Sequence, residues 1–493
     1  MKFQFAILSI FFSIIGYSKA NAYPICKNLL ILKNEESLSK TARISSEPNR
    51  FITPFQQELS FGFEPQATTK VLHKRGEISW ERLSKLQQKI AEYLISHVPG
   101  GRILSIDKNT DDYRIQGILI GSDQGKYKIG HDLGFVEVQP MPVSLSEIKE
   151  KIGPVFRAFE FAGLTTKLRS SSKAFMGTGL HIHVEKTVFE KHPILLRNLL
   201  ADLHNRPYLE SIFNNMGNHT NAIPFYEAKL QDELFRVLAI IDSQAKVDGY
   251  YVYQKILDVL SESKFSQDRY LVVNLMNLFN QRLPTVEFRL MGGQVDENDL
   301  SDQAFFLAHY LEHLSKISDP IAPKTYVSFS DFERQRSPLN AETEFLRLLS
   351  LIHLPKDSYQ RFIDRRFPLT TRLSGKYENE PFSIEVRVYD NRTGFNVKSQ
   401  DEIGGCVEFR TTDKRIGRID LVTRAEPTRE IPFLQFPNNQ ETLQGNQLFY
   451  PYGEKRNILF EGSVEVYDKN NQKIKFSTNF NLKFQPLVLS EEP

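Results

Sequence analysis

Four short apolar runs along the chain each carry two polar residues two positions apart, and this spacing constrains the fold more than any bulk property does. They are Glu64/Gln66 within Phe61–Gln66, Glu137/Gln139 within Gly134–Gln139, His181/His183 within Thr178–Val184, and Glu287/Arg289 within Thr285–Leu290. Successive side chains of a strand point to opposite faces. Each polar pair therefore shares one face, while Phe63, Val136, Val138, Leu180, Ile182 and Phe288 take the other. One sheet gathering all four pairs is the expectation. Three carboxylates, two imidazoles and a guanidinium on one concave face are costly to desolvate without counter-charge, which points to a divalent metal and an anionic ligand.

The chain has 493 residues, 40% of them hydrophobic, which is enough for proper cores and a prior of two or three domains. A formal net charge of +2, with no long Lys/Arg block, leaves no electrostatic footprint for nucleic acid. Lys2, the apolar run from Phe5 to Ile15 and the small-residue site at Ala20–Ala22 have the layout of a secretory signal peptide over residues 1–22, with the mature chain starting at Tyr23. That run is too short for a spanning helix, and no later segment is long and apolar enough to cross a bilayer. The protein is accordingly expected to be exported, to the periplasm or beyond. Export permits Cys26 and Cys406 to pair and clip the N-terminal arm to the far end of the chain; two free buried thiols are the other outcome, and spacing does not choose between them.

After an arm at 23–50, residues 51–323 alternate short strands with amphipathic helices. Helical periodicity marks Ser79–His97, Glu147–Phe161, Ile194–Phe213, Glu227–Ile241, Tyr251–Leu260 and Asp299–Ile317. Gly153-Pro154 should kink or split the second of these. A helical connector over 324–366 follows, with a helix at Glu342–Ile352. Beyond Phe367 the texture changes to short alternating strands with frequent turn residues, which predicts an all-β, sandwich-like domain over 367–493.

The stretch Leu59–Gln66 resembles the first core strand of the amidoligases in the glutamine synthetase superfamily of carboxylate-amine ligases, with Glu64 matching the first metal-binding acid and Gln66 standing where a second acid is expected. Pro65 is unusual inside a strand, being tolerated mainly at edges and bulges. Gly177–Val184 resembles the family's small-residue, aliphatic, His-aliphatic-His stretch, in which His181 takes the metal position and His183 a supporting catalytic one. Pro284–Leu290 resembles its Glu-x-Arg strand, where Glu287 binds metal and Arg289 contacts phosphate or a substrate carboxylate; a planar guanidinium suits that task. Asn274, in a stretch that also includes Arg269, Tyr270 and Asn277, is the counterpart residue for orienting ligand. Glu137 matches a further metal acid, while Asp123 and Asp132 fit either other acidic positions or turns. The resemblance runs from about Ser60 to Ile317 and rests on the order of four motifs.

The resemblance implies an α+β fold, a curved antiparallel sheet flanked by helices. It also implies an ATP-dependent carboxylate-amine ligase that uses Mg²⁺ or Mn²⁺ and forms an amide through an acyl phosphate. Its substrates would be small-molecule or peptide carboxylates and amines, and the C-terminal domain would be free to meet a cell-surface or host partner. Export sets the chain apart from cytoplasmic ATP. The competing readings are therefore a degenerate ligase fold acting as a binding protein, and a secreted metal-dependent hydrolase using His181 and His183.

Overall fold

The computed structural model describes residues 29–32, 52–67, 80–109, 115–132, 135–164, 180–213, 225, 228–269, 271–279, 284–291, 297–324, 338–364, 369–390, 405–411, 413–429 and 458–484. The signal-peptide segment, Cys26, Tyr270 and Gly177-Thr178-Gly179 lie outside the described residues. The protein is an α+β molecule with several antiparallel sheets. Among the described residues no helix is long and apolar enough to cross a membrane.

A strand β1 (Leu29–Leu32) and a short helix α1 (Pro54–Gln57) precede the first motif. That motif forms two strands, β2 (Phe61–Phe63) and β3 (Gln66–Ala67), which enter different sheets. After α2 (Trp80–His97) come β4 (Arg102–Lys108), β5 (Ile115–Ser122), β6 (Gly125–Asp132) and β7 (Phe135–Pro140), which with β3 make a five-stranded antiparallel sheet in the order β3-β7-β6-β5-β4. Helix α3 (Ile148–Phe161) and α2 cover this sheet, with Leu83, Ile90, Ile118, Ile120, Val136, Val138, Val155 and Phe159 in the core between them.

Past β8 (Ile182–Glu185) the chain is helical: α4 (Thr187–Lys191), α5 (Pro193–Asn205), α6 (Tyr208–Phe213) and α7 (Ala228–Gln244). A hairpin of β9 (Lys246–Val247) and β10 (Tyr250–Tyr251) leads to α8 (Tyr253–Ser261). Strands β11 (Val273–Asn274) and β12 (Thr285–Phe288) then complete a second antiparallel sheet, ordered β11-β12-β8-β2. The helix α9 (Glu297–Ser315) is buried along most of its length in the larger core, which also takes in Leu196, Leu199, Leu234, Ile241, Phe288 and Phe306.

The single sheet expected from the four polar pairs is thus two sheets joined at Glu64-Pro65. The Glu64 N–H donates to the His181 carbonyl at 3.2 Å, the last bond toward β8, and the Pro65 carbonyl accepts from the Val138 N–H at 3.1 Å, the first toward β7. Proline has no N–H to leave unpaired, so it sits where the chain exchanges one partner strand for another.

Two helices depart from their expected outline. Gly153-Pro154 does not split α3, which runs as one helix of 14 residues. One lost backbone bond is outweighed by Ile152, Val155, Ala158 and Phe159, buried on both sides of the proline. Gly153 also admits the start of α9, because a Cβ there would lie 2.9 Å from Glu297 Oε2. By contrast, the expected helix Ile194–Phe213 ends at Asn205 and restarts at Tyr208, since the residue before Pro207 is disfavoured in helical conformation.

Helices α10 (Pro338–Leu351) and α11 (Lys356–Asp364) occupy the connector and place Phe345, Leu348, Tyr359 and Phe362 in the same core as α9. From Leu369 onward the described residues are strands: β13 (Leu369–Tyr377), β14 (Glu380–Asp390), β15 (Gly405–Thr411), β16 (Ile416–Arg429), β17 (Ile458–Asp468) and β18 (Lys473–Phe484). They form the sheets β1-β15-β14-β13 and β16-β17-β18. The parallel pairing of β1 with β15, Leu29 opposite Glu408, ties the N-terminal arm to this region and to the strand that carries Cys406.

Candidate metal centre

The sheet β11-β12-β8-β2 sets the His181/His183 and Glu287/Arg289 pairs side by side and brings Glu64 to them, while Gln66 enters the other sheet with β3. In its register Glu287 lies opposite His183, and His183 lies opposite Gly62. Glu64 follows β2 directly, and His181 stands one residue before β8, so Glu64, His181, His183 and Glu287 meet on one face. Ile182, Val184, Val286 and Phe288 are fully buried on the other side, as a period of two requires.

Glu64, His183 and Glu287 each offer a ligand atom within 4.8 Å of the others. His183 Nε2 is buried, has no hydrogen-bond partner among the described residues, and lies 3.3 Å from Glu64 Oε1. The other ring nitrogen, Nδ1, is 3.1 Å from Thr285 Oγ1. With Nδ1 turned to that hydroxyl, Nε2 is the nitrogen that faces the carboxylates and would be the metal ligand. His181 Nδ1 is 2.9 Å from Glu64 Oε2 and 3.3 Å from Glu287 Oε1, so its imidazole bridges the two acids.

Glu287 is held from three sides. Arg289 Nη1 donates to Oε1 at 2.6 Å, and the amides of Asn274 and Asn277 donate to Oε2 at 2.6 and 3.3 Å. Asn274 and Arg289 are thereby placed on the carboxylate of Glu287, and both are buried. The Arg289 N–H donates to the Val272 carbonyl at 2.9 Å, which extends the β11–β12 pairing past the end of the strand.

Glu137 arrives from the other sheet. The Gln139 amide donates to Glu137 Oε1 at 2.7 Å and to Glu64 Oε1 at 3.0 Å, and the Gln66 amide donates to Glu137 Oε2 at 3.1 Å. Glu137 is thus joined to the Glu64 cluster through an amide and stands outside the group of three. Asp123 lies exposed in the turn between β5 and β6.

The charges on this face are interdependent. Burial alone would raise the Glu64 carboxyl, but the hydrogen bond to His181 and the charges of both His181 and His183 outweigh it and hold Glu64 well below the usual carboxylate range. Burial alone would lower His183, but Glu64, then Glu287 and Glu137, lift it above the ordinary imidazole value. His183 would hold a divalent ion through Nε2 in its deprotonated form, with the ion supplying the positive charge in place of the proton. The residues present fit a hard divalent ion: the half-buried carboxylate of Glu64, the buried carboxylate of Glu287, and an imidazole whose Nε2 faces them without a hydrogen bond among the described residues.

Four contributors had no site role in the sequence, although Gln139 belongs to one of the four polar pairs and Asn277 to the Asn274 stretch. Gln139 bridges two acids, Thr285 orients His183, Asn277 assists Asn274, and Gly62 makes room for His183. Gln139 and Thr285 each lie two positions from a carboxylate on the same strand, and that was the available signal. Comparison with protein-family models and with curated proteins gave no match.

Proposed function

We propose that the chain is an exported, divalent-metal- and ATP-dependent carboxylate-amine ligase, with Glu64, His183 and Glu287 holding Mg²⁺ or Mn²⁺ and His181 and Glu137 beside them. The observation that carries the metal half of this reading is the buried Nε2 of His183, without a hydrogen bond among the described residues, facing two carboxylates whose ligand atoms lie within 4.8 Å of it and of each other. The ligase half rests on the resemblance of the four motifs, in their order, to the amidoligases. Bound there, the cation would neutralise phosphate charge during transfer to a carboxylate. This chain's own residues would orient the ligands: Thr285 fixes the ring of His183, and Asn274 and Asn277 fix the carboxylate of Glu287.

A second reading, a ligase fold retained as a binding protein, is favoured by one observation. The guanidinium of Arg289, the residue meant for phosphate or substrate carboxylate, is 5% exposed and bonded to Glu287. Calorimetric titration of the full chain with Mn²⁺ and Mg²⁺, with and without ATP, separates the two. A ligase should bind metal and bind ATP more tightly once metal is present. Metal binding without ATP binding favours the binding protein, and absence of both overturns the metal reading as well. Tight Zn²⁺ in preference to Mg²⁺ or Mn²⁺ would instead mark the hydrolase alternative.

A further inference from the structure

We propose that Gln66 and Gln139 take the place of a second cation beside Glu137, so that this face binds a single divalent ion, on Glu64, His183 and Glu287. The inference rests on the metal reading above and adds to it a number and the residues that set that number. Gln66 lies directly opposite Glu137 in the β3–β7 ladder, and Gln139 lies two residues along the strand from Glu137, so the three polar groups share one face. Gln66 is 4% exposed. Both oxygens of Glu137 are engaged: Oε2 by the Gln66 amide at 3.1 Å and Oε1 by the Gln139 amide at 2.7 Å. The Gln139 amide spans the gap to Glu64 Oε1 at 3.0 Å, where an ion shared by Glu64 and Glu137 would have to sit.

An ionised carboxylate only accepts hydrogen bonds, so it is the N–H ends of both amides that face Glu137 and Glu64. A cation in that place would need their oxygen ends. Both side chains would have to turn, three N–H···O bonds would be forfeited, and two neutral amides would stand where a hard divalent ion is best served by carboxylates. The two halves of the face are therefore unlike. On the Glu137 side the protein's own donors satisfy the acid, whereas on the His183 side the buried Nε2 lies 3.3 Å from Glu64 Oε1 and makes no hydrogen bond among the described residues.

The test counts ions and reads their environment on the full chain. Titration with Mn²⁺, followed by calorimetry and by electron paramagnetic resonance, should give one Mn²⁺ per chain with the six-line spectrum of an isolated ion. The Gln66→Glu variant should take up a second Mn²⁺, as should Gln66→Glu combined with Gln139→Glu, and the two ions should broaden each other's spectrum. Gln66→Glu alone guards against the double variant failing to fold, and circular dichroism checks both. Two ions in the parent, or a folded Gln66→Glu variant that still binds one, would overturn the proposal. A parent that binds none sinks the metal reading itself, whereas one ion bound without any ligase activity sinks only the ligase reading and leaves this inference standing.

Discussion

Gly62 lies opposite His183 across the β2–β8 ladder, and a methyl group at Gly62 would come to 3.2 Å from His183 Cβ. That is closer than side chains normally pack, so a larger residue at Gly62 displaces His183 by a few tenths of an ångström. If His183 holds the ion, such a shift uses up most of the ~0.5 Å that productive geometry tolerates and weakens the site. Gly62→Ala should lower Mn²⁺ affinity about tenfold, of the order seen when a supporting partner is lost. Stability should change little, because the overpacking is offset by alanine's lower unfolded-state entropy, worth ~0.4–1 kcal/mol. Titration and a thermal melt on the same sample check both halves.

Thr285 acts on the same histidine from the neighbouring strand. Thr285→Val keeps the shape and removes the hydroxyl that fixes His183 Nδ1, so Mn²⁺ affinity should fall roughly 10–100-fold. Thr285→Ser should restore most of it. Equal affinities in all three proteins would mean that the hydroxyl does not set the tautomer of His183.

Away from the site, Arg197 and Asp242 tie α5 to α7 with a paired fork, Nε to Oδ1 at 2.9 Å and Nη2 to Oδ2 at 2.8 Å, and Tyr251 adds a bond to Oδ1 at 2.7 Å. Burial alone would raise the Asp242 carboxyl, but the bonds from Arg197 and Tyr251 hold it below its ordinary value of 3.8. A depressed carboxyl stabilises the fold fully above its unfolded pKa and loses that contribution as pH falls through the folded one. Unfolding measured against pH should show this pair's contribution intact above about pH 4 and declining below it. Asp242→Asn should cost about 3 kcal/mol, the low end for breaking a buried pair because the Asp242 side chain is a third exposed. The variant should also lose that acid-side slope.

The site was legible in the sequence where it depends on the period of a strand, and hidden where it depends on which strands meet. Alternation alone sets His181 with His183, and Glu287 with Arg289, each on one face of its strand; the structure pairs the two strands, with Glu287 opposite His183. The passage of the chain between two sheets at Glu64-Pro65 is decided by partners more than seventy residues away, at Val138 and His181. Alternation within one segment carries no record of those partners, which is also why Gln139 did not stand out as the bridge between Glu64 and Glu137. Among the helices, Pro207 ended one where local sterics had no opposition, while Pro154 failed to end another because buried neighbours held the helix on both sides.

A cation held by Glu287 would compete with Arg289 for the same carboxylate. Arg289 Nη1 is 2.6 Å from Glu287 Oε1, and both side chains are almost fully buried. Arg289→Met removes one partner of that pair and should cost about 3–5 kcal/mol in metal-free buffer, because the charge of Glu287 loses its counter-ion. Metal returns the missing charge, and an ion present at 100 times its dissociation constant stabilises by ~2.7 kcal/mol. The rise in melting temperature on adding Mn²⁺ should therefore be larger for Arg289→Met than for the parent, with Arg289→Lys between them and still folded if the methionine variant is not. A smaller rise in both variants would show that Arg289 supports the metal ligand and does not compete with the ion for it.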